Sequence, residues 1–136
     1  MDLTALLPGR KSMESVPKYG DGSIAEKKTV HFGRMNAPTA CSIVKGPCGD
    51  EMEFYLSVGE GRIERASFYT EGCTSTMVCG EMTAILTEGR TVEEAMGISP
   101  AKVLNELGGL EKEYRHCCIL SVSALLRAIA DYLLKP

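Results

Sequence analysis

Three short segments of this chain read as pieces of one metal site: Gly46-Pro47-Cys48-Gly49-Asp50, Gly72-Cys73 and His116-Cys117. Together they offer three thiols, one carboxylate and one imidazole. Soft sulfur donors of this kind select zinc or an iron–sulfur cluster over magnesium or calcium. The residues leave the choice between those two open. No Cys-x-x-Cys pair occurs, which argues against zinc ribbons, zinc fingers and thioredoxin-like redox motifs, and the closely spaced cysteine runs of ferredoxins are absent too. The ligands stand too far apart for a local motif, so a folded domain has to assemble them.

Each candidate sits where an element should begin or end. Cys48 lies on a turn that glycine and proline define, and Asp50 follows two positions later, ahead of a strand. Taken alone, Asp50 reads as a turn cap. Cys73 precedes a helix whose first N–H groups and dipole favour a thiolate, with Thr74, Ser75 and Thr76 as further donors. The same reasoning applies to Cys117 at the start of the last helix. Cys41, Cys79 and Cys118 read as buried packing residues, with a minor reading as spare thiols near the site that accept sulfur or replace a ligand. His31 reads as a surface or capping residue.

The elements that must hold these groups are legible from periodicity. Thr39 to Lys45 forms a short strand. Met52, Phe54, Leu56 and Val58 alternate with polar residues, the mark of a strand with one face buried. Gly59-Glu60-Gly61 is a turn, and Ile63, Ala66, Phe68 and Thr70 form a third strand with a bulge between Ile63 and Ala66. The period then changes. Val78, Met82, Ile85 and Leu86 share one helix face that ends at Gly89. Thr91-Val92-Glu93-Glu94 is a capping box, and Ser99-Pro100 opens another helix, with Val103, Leu104 and Leu107 inward and Gly108-Gly109 as its stop. A final helix from about Cys117 to about Leu134 places Cys118, Val122, Leu125, Ile129 and Leu133 on a core stripe and Ser123, Arg127 and Asp131 on a wet face. Strands first and helices after them predict an α+β domain: a small antiparallel three-stranded sheet with helices packed on one face, in the order β-β-β-α-α-α-α.

The bulk properties set outer bounds. A chain of 136 residues is the size of one domain and large enough to bury a core without disulfide staples. We divide it into an N-terminal arm, residues 1–35, partly flexible or partner-contacting with a helical turn at Ser23 to Lys28, and a single folded domain over 36–136. The net charge is −3, from 15 basic and 18 acidic residues, with no tryptophan and no basic block, which argues against a nucleic-acid surface. Nothing near Met1 has the pattern of a secretory signal, and no apolar run reaches the roughly 20 residues of a membrane span. The expected setting is reducing and cytoplasmic, where clustered cysteines bind metal or do redox work.

Taken together, Pro47-Cys48-Gly49-Asp50, Thr70-Glu71-Gly72-Cys73, His116-Cys117, Thr91-Val92-Glu93-Glu94-Ala95 and Ala128-Ile129-Ala130-Asp131-Tyr132 resemble the iron–sulfur cluster assembly scaffolds, IscU and the N-terminal domain of NifU, from about Gly33 to Leu134. The resemblance implies a non-catalytic scaffold on which a 2Fe-2S cluster is built and then passed to apo iron–sulfur proteins. Cys48, Cys73 and Cys117 would be the sulfur ligands, with Asp50 or His116 as the fourth ligand. Sulfur would come from a cysteine desulfurase as a persulfide on Cys117, and a cluster bridging two chains would make a homodimer. Zn2+ would fill the same thiolates in the isolated protein, and a zinc-bound sulfur acceptor of the SufU type or a zinc-stabilised interaction module are the alternatives. The long insertion of the SufU branch before the last ligand is missing. Two further departures are visible. Leu110-Glu111-Lys112-Glu113-Tyr114 stands where relatives that use an Hsp70-type chaperone carry Leu-Pro-Pro-Val-Lys, so chaperone handover is not carried over. Val30-His31-Phe32-Gly33-Arg34 matches the partner-contacting N-terminal segment only faintly.

Overall fold

A computed structural model describes residues 30–47, 49–109 and 115–135. The turn expected at Ser23 to Lys28, the Leu110 to Tyr114 stretch and Cys48 itself fall outside the described residues. The strands are β1 (Ala40–Lys45), β2 (Glu51–Gly59) and β3 (Arg62–Thr70), antiparallel in the order β1-β2-β3. Four helices follow: α1 (Thr74–Thr87), α2 (Val92–Met96), α3 (Pro100–Glu106) and α4 (Arg115–Leu134). This is the expected α+β architecture in the expected order.

Register puts the apolar parity on one face. Leu56 lies between Ala40 and Ala66, and Phe54 between Ser42 and Phe68. Met52, Phe54, Leu56 and Phe68 are fully buried. The register shifts opposite Ser57 and Val58, which leaves Glu64 as the extra residue of a bulge in β3. The β2–β3 connection turns on Glu60 and Gly61, both at positive φ (54° and 77°), the backbone that a two-residue hairpin turn of matching twist requires.

Helices α1 and α4 pack side by side on the inner face. Gly80 marks the closest approach of α1 to the sheet: a Cβ there would lie 2.6 and 2.7 Å from the Phe68 ring and 3.0 Å from Met52. The caps are as the sequence predicts. Thr91 and Glu94 form a reciprocal capping box on α2, and the Ser99 hydroxyl accepts from the Lys102 N–H at the start of α3. Helix α4 buries Cys118, Val122, Leu125 and Ile129. Leu133, expected on that stripe, is 53% exposed; seven residues beyond the exposed Leu126, it points the same outward way. Against the expectation of no span-length run, α4 is long and apolar enough to cross a membrane, with a mean hydropathy of 1.8. Half of that window is buried inside the fold, as in a core helix.

The segment ahead of β1 is tied to β3. Phe32 bridges Phe68 in parallel; the Gly33 N–H donates to the Phe68 carbonyl at 2.7 Å and the Phe68 N–H to the His31 carbonyl at 3.0 Å. The two phenyl rings meet edge to face at 5.4 Å. His31, expected at the surface or as a cap, is instead an internal anchor. Its Nδ1 lies 2.6 Å from Oε2 of Glu81 on α1 and its Nε2 3.0 Å from Oε1 of Glu88, the residue that caps the end of α1. Glu81 is fully buried and also accepts the His31 N–H at 3.0 Å. Burial works against a charged ring, but the two carboxylates outweigh it and raise the His31 pKa to about 8. Further along the same edge, the Ile63 N–H donates to the Arg90 carbonyl, the Gly89 N–H to the Ile63 carbonyl, and the Ala66 N–H to Glu88 Oε2. On the opposite edge the Cys41 N–H donates to Asp131 of α4 at 3.1 Å, and Lys135 reaches the Thr39 carbonyl at 2.8 Å.

Candidate functional site

The ends of β2, β3, α1 and α4 converge on one rim of the molecule. Cys73 is the N-cap residue of α1, with extended backbone (φ −74°, ψ 174°). From there its sulfur curls over the first turn, 2.9 Å from the Ser75 hydroxyl and 3.5 Å from the Thr76 hydroxyl. Partial burial pushes the thiol up, but the side-chain and backbone donors of Ser75 and Thr76 outweigh it and hold Cys73 below the ordinary thiol range. Cys73 is exposed, so this activated sulfur is open to a partner.

Asp50 reaches the same place from the start of β2. Its Oδ2 accepts from the Thr76 hydroxyl at 2.8 Å and lies 4.0 Å from the Cys73 sulfur. Gly72 makes room for it: a Cβ there would stand 2.7 Å from that oxygen. The Gly72 N–H donates to the Thr70 hydroxyl, which donates to the Glu51 carbonyl at 2.6 Å, so the end of β3 is fastened to the start of β2.

Cys117 comes from the first turn of α4 and is 2% exposed. Its sulfur lies 3.5 Å from the Ser75 hydroxyl and 3.5 Å from the Thr76 hydroxyl. Those two α1 hydroxyls therefore stand between the Cys73 and Cys117 thiols, and Thr76 also carries the Asp50 carboxylate. Of the five candidate ligands, the fold brings Asp50, Cys73 and Cys117 together. His116, one residue before Cys117, is exposed and has no hydrogen-bond or ion-pair partner among the described residues. Cys48 is not described, but its turn is: the Gly46 N–H donates to the Asp50 carbonyl at 2.7 Å and the Gly49 N–H to the Gly46 carbonyl at 3.0 Å. Gly46 rests against Leu120 of α4. Among the described residues, no three His, Cys, Asp or Glu side chains close around a single ion position.

The remaining cysteines divide. Cys79 and Cys118 are buried, as expected, and face each other across the α1–α4 seam with their sulfurs 3.3 Å apart. Cys41, expected to be buried, is exposed, because Ala40 pairs with the inward Leu56 and its neighbour must face out. Sequence reasoning named Ser75 and Thr76 only as donors to Cys73. Their second contact, to Cys117, depends on how α1 and α4 pair, which no local spacing reveals. Beside Asp50 opens a cavity of about 340 Å3 whose wall includes Asp50, Glu51, Glu53, Glu71, Arg34 and Tyr69. Arg34 is engaged there by Glu53 at 2.8 and 3.0 Å and lies 4.0 Å over the Tyr69 ring.

The model of the family described as NifU-like N terminal domain matches residues 20–136. Among curated relatives, the iron–sulfur cluster assembly scaffold protein IscU 1 of Archaeoglobus fulgidus is 42% identical over 106 residues, covering 77% of this chain and 69% of the relative. The IscU scaffold of Haemophilus influenzae is 34% identical over 116 residues, covering 84% and 85%. Among solved structures, a nitrogen-fixing NifU-like protein (N-terminal) from Brucella abortus superposes with a TM-score of 0.68 over 91% of this chain and 99% of its own, at 15% identity. A putative SUF-system scaffold from Fervidobacterium islandicum gives 0.65 over 81% and 94%, at 17% identity. At those identities the structural likeness speaks for the fold alone.

Proposed function

Because the chain belongs to the family of NifU-like N-terminal domains, we propose that it is a scaffold on which a 2Fe-2S cluster is assembled and from which the cluster is released to apo iron–sulfur proteins. The observation that carries this reading is the mixed donor set on one rim. Two thiols share the Ser75 and Thr76 hydroxyls, and a carboxylate is held against the same threonine 4.0 Å from the exposed sulfur.

The cluster is cargo here, not a resident cofactor. Cys48, Cys73 and Cys117 supply its thiolates, and Asp50 takes the fourth place. Asp50 is preferred to His116 because it already lies beside Cys73, whereas His116 faces solvent. A hard carboxylate binds a cluster iron less firmly than a thiolate, so three sulfurs retain the cargo during assembly and the oxygen makes it exchangeable. The acidic wall of the adjoining cavity favours approach of ferrous iron. Sulfur arrives as a persulfide from a cysteine desulfurase, with Cys117 as acceptor, in the reducing cytoplasm where these thiols persist.

Anaerobic reconstitution with ferrous iron and sulfide tests the reading. A brown protein with charge-transfer absorption, containing equal iron and sulfide, is the expected product; a colourless chain that takes up only zinc overturns it. Asp50→Ala should then retain its cluster longer than the parent when challenged with an apo-ferredoxin. Equal or faster loss would remove Asp50 from the role assigned to it.

A further inference from the structure

The seam between α1 and α4 holds chemistry that cluster ligation does not use. Cys79 and Cys118 are buried thiols with sulfurs 3.3 Å apart. They lie directly inward of the site. Cys79 is one helical turn beyond Ser75 and Thr76, the residues that touch Cys117. Its contact with Cys118, burial and the neighbouring thiols push the Cys79 thiol up, so it keeps its proton until the departing sulfur takes it. Cys118 follows Cys117 in the chain. The seam stays polar deeper in: Thr83 takes the next turn of α1, hydrogen-bonded to the Cys79 carbonyl and 3.0 Å from the Ser121 hydroxyl of α4. Dispersion packing alone would be met by alanine or valine at these places, whereas a row of thiols and hydroxyls leads inward from the sulfur-accepting residue.

We propose that Cys79 and Cys118 form an internal dithiol that reduces a persulfide on Cys117 and releases its outer sulfur as sulfide at the assembly site. The inference rests on the reading of Cys117 as sulfur acceptor. A persulfide sulfur is two electrons more oxidised than sulfide, and a dithiol that closes to a disulfide supplies two electrons. In the first step the Cys79 sulfur attacks the inner sulfur of the Cys117 persulfide. A Cys79–Cys117 bond forms, the bond to the outer sulfur breaks, and that sulfur leaves as hydrogen sulfide with the Cys79 proton. In the second step Cys118 attacks the Cys79 sulfur. The Cys79–Cys118 disulfide forms, the bond to Cys117 breaks, and the Cys118 proton passes to the Cys117 sulfur. One persulfide and two thiols thus become one thiol, one disulfide and one hydrogen sulfide, with no further reductant. The 3.3 Å between the Cys79 and Cys118 sulfurs, the pair joined in the second step, is within the roughly 3–3.5 Å of a near-attack arrangement for a bond of about 2 Å. Cys117 emerges reduced, ready to ligate the cluster that contains the sulfide. A second turnover requires the disulfide to be reopened by an external dithiol.

The test is a single turnover on the full chain, reduced, anaerobic and freed of small thiols. A cysteine desulfurase preloaded with persulfide, free of excess cysteine, is the sulfur donor in one arm. Stoichiometric inorganic polysulfide replaces it in the other. Sulfide is assayed, and the state of each cysteine is mapped by alkylation and mass spectrometry. The parent chain should release up to one sulfide per chain, in step with appearance of the Cys79–Cys118 disulfide and return of Cys117 to the thiol. In Cys79→Ala the persulfide should stay on Cys117, with release slowed by at least about tenfold; in Cys118→Ser one sulfide should still leave, and the chain should stop as the Cys79–Cys117 disulfide. A parent chain that holds its Cys117 persulfide without releasing sulfide overturns the proposal, and that result needs no variant to fold. Unchanged release in Cys79→Ala, or return of Cys117 to the free thiol in Cys118→Ser, overturns it equally. Failure of the desulfurase to load Cys117, with release and disulfide formation intact in the polysulfide arm, supports the dithiol and refutes the desulfurase as the source.

Discussion

Raising the pH should weaken this fold through one histidine. His31 is raised from 6.5 to about 8 by Glu81 and Glu88. A group with a raised folded pKa contributes stability that is fully present below its unfolded value, here 6.5, and is lost as the pH rises through about 8. Raising the group from 6.5 to about 8 corresponds to about 2 kcal/mol, and residual solvent around a ring that keeps 15% exposure reduces this to between about 1 and about 2 kcal/mol. Replacing the ring tests the assignment: His31→Gln keeps a donor for Glu81 but carries no titrating charge. Urea unfolding of both chains across this window, under reducing conditions, should give a stability difference that is largest at the acid end and shrinks through about pH 8. Comparing the two chains cancels the thiols that titrate nearby. NMR of the imidazole protons should place the His31 midpoint near 8 in the folded chain. A midpoint at or below 6.5, or a difference that stays constant or grows with pH, would refute the reasoning. The Gly33 and Phe68 amides, which depend on the same arm, should lose hydrogen-exchange protection before the rest of β3 does.

Two further substitutions test the packing and the site. Gly80→Ala gains about 1 kcal/mol of helix propensity but drives a methyl into the buried Phe68 ring and Met52, at a cost of about 1–3 kcal/mol, so denaturant unfolding should show a net loss of up to about 2 kcal/mol. Stabilisation would mean that the sheet and α1 are less closely packed than described. Ser75→Ala removes the donor 2.9 Å from the Cys73 sulfur, so the pH midpoint for alkylation of Cys73 should move upward, read as iodoacetamide rate against pH with the site located by mass spectrometry. An unmoved midpoint would assign the thiolate bias to Thr76 and the N–H groups of the helix N-terminus.

The layout of strands and helices was legible because buried faces repeat at the period of their backbone. Met52, Phe54 and Leu56 alternate, Val78, Met82 and Leu86 return each turn, and the Thr91–Glu94 box and Ser99 announce the helices they cap. The bulge was visible as a break of parity between Ile63 and Ala66. For the candidate site, glycine, proline and helix-start context pointed to Asp50, Cys73 and Cys117, which do converge. Other features were hidden for separable reasons. Cys41 sits in a strand too short to set its own parity, which the pairing of Ala40 with Leu56 decides. His31 had no spacing to betray it, since its partner Glu81 is 50 residues away and looked like an ordinary helix glutamate. The Cys79–Cys118 contact and the double use of Ser75 and Thr76 exist only once α1 and α4 lie side by side, and helix pairing leaves no local trace in sequence. His116 had the right composition beside Cys117, but on a helix the next residue points about 100° away, and here that direction is solvent.

The two margins of the sheet bear on how copies of this chain can meet. A small three-stranded sheet with bare margins invites strand addition, and so fibrous aggregation or edge-to-edge dimers. Here the outer margin of β3 is occupied by the Arg90 and Gly89 backbone, the Glu88 carboxylate and the His31–Gly33 backbone in turn, while at the β1 margin Asp131 takes the Cys41 N–H and Lys135 the Thr39 carbonyl just ahead of the strand. A second molecule therefore finds few vacant main-chain groups along β3 to extend the sheet there. If two copies do share a cluster, they must meet through side chains at the thiol rim, leaving their sheets separate, and disassembly then needs no strand to be unzipped.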